Sequence, residues 1–150
     1  MTRVSDGSPG EIRVIACAVI RDGDRILVWD DLNPDTGEVV AVPLAGGVEF
    51  GETGGAAIRR ELLEEIGAVA STVRYLATLE DIFEWNGQAR HEVHLVYEVA
   101  LDDARIAQLE EVEVNDDGER YVARWRHLDE FRAHTRLVPS GLLGLILEES

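Results

Sequence analysis

The chain has one cysteine, no lysine and no apolar run long enough to span a membrane. A single cysteine, Cys17, excludes an intramolecular disulfide, and its place in an apolar, strand-like run reads as a buried, inert thiol. Without lysine, all 14 basic side chains are arginine, set against 30 acidic ones for a formal net charge of −16. A chain this acidic does not grip nucleic-acid phosphates through a general electrostatic field. Neither a signal peptide nor a membrane span is expected, which assigns the chain to the cytoplasm and excludes a membrane partner. No repeat, low-complexity tract or linker divides the 150 residues, and 45% of them are apolar, so one domain with a substantial core is expected.

Residues 1–11 are polar and carry Ser, Gly and Pro, and they read as a flexible lead-in to a domain over 12–150. Ile12 to Ile20 reads as a mostly buried strand, Asp22-Gly23-Asp24 as a turn, and Arg25 to Trp29 as the returning hairpin partner. After a polar loop from Asp31 to Gly37, Val39 to Val42 is a short strand. Extended segments are expected at Val73 to Asp81 and Phe83 to Trp85, with a hairpin turn at Asn86-Gly87. In the return strand, His91 to Ala100, Val93, Leu95, Tyr97 and Val99 alternate with Glu92, His94, Val96 and Glu98, giving one apolar and one largely polar face. Leu101 to Glu113 is acidic, with a short helix expected around Ala104 to Leu109. Tyr121 to Trp125 follows as a strand and Gly141 to Leu147 as a helix. This order suggests a mixed sheet layered between helices, an α/β fold.

The most informative stretch is Gly46 to Ala68, GGVEFGETGGAAIRRELLEEIGA. Thr53 is a good helix cap, Ala56 to Ile66 are mostly helix formers, and Gly67 is a usual stop. Ile58, Leu62 and Ile66 make an apolar stripe, with Glu61, Glu64 and Glu65 on the adjacent face beside Arg60. Carboxylates three or four residues apart repel one another. Taken alone, such a face reads either as solvated surface or as a site for a hard divalent cation, which takes oxygen ligands.

The order Gly46, five residues, Glu52, seven residues, then Arg60-Glu61-Leu62-x-Glu64-Glu65-x-Gly67 resembles the signature box of the Nudix hydrolases. Every charged and glycine position is filled; Ala68 stands where a larger aliphatic residue is usual. Arg124 to Phe131, then Pro139 and an apolar helix, is similar to the C-terminal end of that domain, so the resemblance spans about residues 12–147. It implies an α/β/α sandwich with a central mixed β-sheet. It also implies Mg²⁺- or Mn²⁺-dependent hydrolysis of a diphosphate linkage in a small nucleoside diphosphate derivative. By position, Glu61, Glu64 and Glu65 match the metal-binding glutamates, and the carbonyl of Ala45 matches a common backbone ligand. Arg60 and Glu52 match the pair that ties loop to helix, and with Glu61 and Glu64 they are the candidate catalytic residues. The chain departs from its relatives at Pro43-Leu44-Ala45-Gly46-Gly47, where Leu44 and Ala45 occupy the usual Pro and Gly positions.

The general base is left open between a box glutamate and a later residue. Glu92, Glu98, Glu111, Glu113 and Glu119 are the outside candidates, each read as a solvated carboxylate, with His91-Glu92 singled out because histidine titrates near neutrality. Trp29, Phe83, Trp85 and Tyr97 read as core, and Phe50, in the box loop, as the exception. Arg13, Arg74 and Arg90 have no spacing that marks a phosphate site, and no substrate-binding residue is assigned. The alternative function is a Nudix-fold sensor that binds a nucleotide or nucleotide sugar without turnover. A homodimer is left open.

Overall fold

The computed structural model describes residues 10–150, and the expected N-terminal lead-in lies, through residue 9, outside the described residues. Strand β1 (Ile12–Asp22) and β2 (Arg25–Leu32) form the expected hairpin, pairing Arg21 with Ile26 and Asp22 with Arg25. From Ile15 to Ile20 every β1 side chain is buried. The reason is that both faces of the sheet are covered. Ala16, Ala18 and Ile20 join a core with Ala57, Ile58 and Leu62, whereas Ile15, Cys17 and Val19 join another with Leu128, Phe131, Leu142 and Ile146. The first core lies under α1 (Gly54–Ile66) and the second under α2 (Glu130–Ala133) and α3 (Leu142–Glu148), so the sheet is sandwiched between helices.

The other strands are β3 (Val39–Gly47), β4 (Ala70–Trp85), β5 (Gln88–Leu101), β6 (Glu111–Asp116), β7 (Glu119–His127) and β8 (Arg136–Leu137). The sheet runs β4-β5-β1-β3-β2-β7-β6, with β8 beside β3. β1 with β5 and β3 with β8 are parallel and the other pairs antiparallel, which makes the sheet mixed. β3 is the strand common to its parts. Val39 to Pro43 pair with β2 on one edge; on the other, Val40 and Ala41 pair with β8 and Leu44 to Gly47 with β1. β1 and β8 therefore part from each other along that edge.

Several elements differ from the sequence expectation. The two extended segments before Asn86-Gly87 are one strand, β4, with register shifts between Ala70 and Thr72 and between Tyr75 and Ala77. A 3₁₀ turn, Ala104–Gln108, replaces the short helix, and β6 follows it with Val112 and Val114 inward and Glu111 and Glu113 exposed. The polar face of β5 is not solvated. Glu92 and His94 are 2% and 3% exposed and lie beside buried Val96, because this face meets the layer that holds α3. They satisfy each other in part, with His94 Nε2 3.0 Å from Glu92 Oε1. Among the described residues no helix is long and apolar enough to cross a membrane.

Candidate active site

The helix α1 begins and ends as its sequence requires. Thr53 Oγ1 accepts a hydrogen bond from the Ala56 amide at 3.1 Å, and Gly67 closes the helix with φ 65°. Its buried side is Gly54, Ala57, Ile58, Leu62 and Glu65. This corrects the expected stripe: 3.6 residues per turn carries the line from Ile58 through Leu62 to Glu65, and Ile66 is only half-buried. The three glutamates thus have three different environments. Glu64 is exposed, Glu61 is half-buried and Glu65 is 4% exposed.

Arg60 ties this helix to the loop before it. Its Nε and Nη2 donate to the two Glu52 oxygens at 2.8 and 2.9 Å, Nη1 donates to Glu61 Oε1 at 2.8 Å, and Nη2 reaches the Gly47 carbonyl at 3.1 Å. A planar guanidinium matches a carboxylate in this two-point way. The Arg60 hydrogen bonds hold the Glu52 pKa down at about 2, and the same bonds push Arg60 up. Glu52 also fastens the loop to itself: its amide donates to the Glu49 carbonyl and its Oε1 accepts from the Glu49 amide.

Glu61 sits directly against the end of β3. A Cβ on Gly46 would fall inside the Glu61 carboxyl group, so the absence of a side chain at 46 is what lets strand and helix meet here. The departure at Leu44-Ala45 does not divert the chain. β3 continues to Gly47, and none of Ala45, Gly46 and Gly47 has positive φ. Ala45 pairs with Cys17 of β1 and adjoins this contact.

Glu61, Glu64, Glu65 and Glu49 line one side of an open cleft of about 460 Å³, and Asn115, Asp116, Asp117 and Gly118 line the other. The second wall was not anticipated. It is the end of β6 and the two-residue turn to β7, where Asp117 (φ 49°) and Gly118 (φ 91°) both take left-handed angles. The available signal was Asp117-Gly118 flanked by alternating apolar residues, a strong hairpin mark. None of Glu92, Glu98, Glu111, Glu113 and Glu119 lines the cleft. His91 instead faces Glu80 at 3.6 Å. Phe50 is fully exposed, Trp29 and Trp85 are core, and Phe83 and Tyr97 pack against it.

Glu65 is the anomaly of the site. Among the described residues, neither of its carboxylate oxygens has a hydrogen-bond partner. Burial, then the neighbouring Glu61, pushes its pKa up to about 9. A buried carboxyl with no donor, next to two others, is costly to ionise unless a cation is at hand. The donor set therefore suits a hard divalent ion: carboxylate oxygens only, facing an open cleft. Among the described residues, no three His, Cys, Asp or Glu side chains already converge on one point. Glu61 leans on Arg60 instead.

A mixed sheet between helices, with an acidic cleft where a capped helix meets the glycine end of a strand, defines the class of fold. The NUDIX domain family model matches residues 11–141, and the chain belongs to the Nudix family. The fold is similar to that of a MutT NUDIX hydrolase from Burkholderia pseudomallei (TM-score 0.64, 24% identity, covering 91% of this chain and 97% of that one). It is also similar to a NUDIX hydrolase from Nitrosomonas europaea (TM-score 0.60, 23% identity, 93% and 88%). A third such structure is the E. coli ORF135 protein (TM-score 0.59, 22% identity, 95% and 94%). No curated protein matches the chain.

Proposed function

We propose that the chain is a divalent-metal-dependent hydrolase that cleaves a diphosphate linkage in a nucleoside diphosphate derivative. The observation that carries this is Glu65, a buried carboxyl without a hydrogen-bond donor among the described residues, opening with Glu61 and Glu64 on one acidic cleft. An acidic face kept only for solubility has no reason to bury one of its carboxylates. Glu61, Glu64 and Glu65, with the Ala45 carbonyl, would hold Mg²⁺ or Mn²⁺. When bound there, the ion would supply charge screening for the diphosphate and a water of lowered pKa. Arg60 and Glu52 act as positioning residues: their two-point pair fixes the loop and directs Glu61 toward the cleft. Asp116 at the end of β6 and Asp117 in the turn after it are additional acidic groups that would face the ion.

The test is hydrolysis of nucleoside triphosphates, ADP-ribose, nucleotide sugars and dinucleoside polyphosphates with Mg²⁺ or Mn²⁺, products separated by ion exchange, and Glu65→Gln run in parallel. Metal-dependent cleavage that is lost in the variant is the expected result. A compound that raises the melting temperature but is never cleaved would instead favour the sensor function.

A further inference from the structure

From His91 to Tyr97, strand β5 buries its polar face more deeply than its apolar one. Glu92 and His94 are buried against the layer that holds α3, whereas Val93, Leu95 and Tyr97, on the other face, are only half-buried. Register with the neighbouring strands shows how far that open face extends. One row across the sheet is Ile12, His91 and Ile82, and the next is Val14, Val93 and Glu80. Further along, Tyr97 pairs with Tyr75, their rings packed edge to face at 5.7 Å. Ile82 is 72% exposed, Ile12 60% and Tyr75 54%. The helix on this side, α1, borders the face at Gly54, where a Cβ would meet Leu95 and Tyr97, and it leaves Ile12 and Ile82 uncovered.

Single exposed apolar residues are ordinary on a protein surface, but a face that runs across three strands is not. Its charge identifies what covers it. Asp, Glu, Lys and Arg make up 29% of the chain, yet these rows hold one of them, Glu80, which stands 3.6 Å from His91. A basic partner is drawn to the acidic remainder of a molecule of net charge −16, and an acidic partner is repelled by it. A second copy suits the face, which is complementary to itself: a two-fold contact sets apolar rows against each other and brings Glu80 of one protomer opposite His91 of its partner. Edge-to-edge pairing through the outer strand β4 is opposed by its two register shifts and by its charged residues Arg74, Glu80 and Glu84.

We infer that two copies of the chain pack sheet on sheet through this face of β4, β5 and β1. The inference goes beyond the hydrolase function and does not depend on it. Two chains of net charge −16 repel each other, so added salt should strengthen the contact, the reverse of one held by ion pairs.

The experiment is sedimentation velocity of the whole chain over a wide range of concentration, in low and in high salt. The expected result is a species of twice the 16.6 kDa monomer mass, its share rising with both concentration and salt. Ile82→Glu sets a carboxylate into the contact from each protomer and should weaken dimerisation by at least about a hundredfold. Ile12→Glu, in the same row, should act alike. Leu63→Glu, with the same change of charge at an exposed apolar site on α1, should leave most of the dimer in place. Circular dichroism shows whether each variant is folded, and Ile12→Glu decides if Ile82→Glu is not. A monomer at every concentration and salt overturns the inference, as does a dimer that salt dissociates. A dimer that survives both Ile82→Glu and Ile12→Glu, or that Leu63→Glu disrupts equally, overturns the assignment to this face.

Discussion

Replacing Glu65 by Gln should make the metal-free protein more stable and inactive. The carboxyl has its pKa raised from 4.5 to about 9 in the folded chain, first by burial and then by Glu61. Below pH 4.5 it is protonated in both states, and its contribution to stability is fully present. Between 4.5 and about 9 the unfolded chain gives up the proton while the folded chain keeps it, so stability falls by about 1.4 kcal/mol per pH unit. At pH 7.5 the accumulated loss is about 4 kcal/mol, which for a chain of this size is a melting-temperature difference of about 10 °C. Gln has the same shape and cannot ionise, so it escapes the loss. The assay is urea or thermal unfolding of both proteins in chelator from pH 5 to 9. Wild type should lose stability steeply as pH rises while Glu65→Gln loses less, the gap widening with pH. Excess Mg²⁺ should narrow that gap by binding only the folded wild-type carboxylate. Parallel pH profiles, or a variant less stable than wild type at pH 7.5 without metal, would refute the reasoning.

Arg60→Ala removes both hydrogen bonds to Glu52 and the one to Glu61, and should lower stability by about 2 kcal/mol together with activity. Unchanged melting and turnover would remove Arg60 from the orienting role. Gly46→Ala puts a methyl group where the Glu61 carboxyl lies, so kcat should fall at least tenfold with wild-type secondary structure by circular dichroism; full activity would mean that Glu61 works from another position. Gly54→Ala drives a Cβ into the Tyr97 hydroxyl and should cost about 1 to 3 kcal/mol by thermal unfolding. Tyr97→Phe in that background should restore part of it, and no restoration would put the clash elsewhere.

What the sequence made legible was local. Thr53, Gly67 and the eight-residue step from Glu52 to Arg60 act within one loop and one helix, so their spacing already specifies the contacts they make. The burial of Glu65 was half legible, since it continues the line of Ile58 and Leu62, but its charge argued for the surface. Glu92 and His94 were misread because alternation on β5 reveals two faces without revealing that both are covered. The β6–β7 turn that completes the cleft comes from fifty residues beyond the helix, and only tertiary packing brings Asp116 and Asp117 across from Glu61.

Strand β3 runs from Val40, beside β8, to Gly46, which abuts Glu61. At about 3.3 Å per residue this is a rod of about 20 Å. Both its edges are occupied by hydrogen-bonded neighbours. A one-residue insertion or deletion within it would turn every following side chain to the other face. Such a slip would put a side chain where Gly46 meets Glu61, so the length of β3 itself keeps strand and helix in contact.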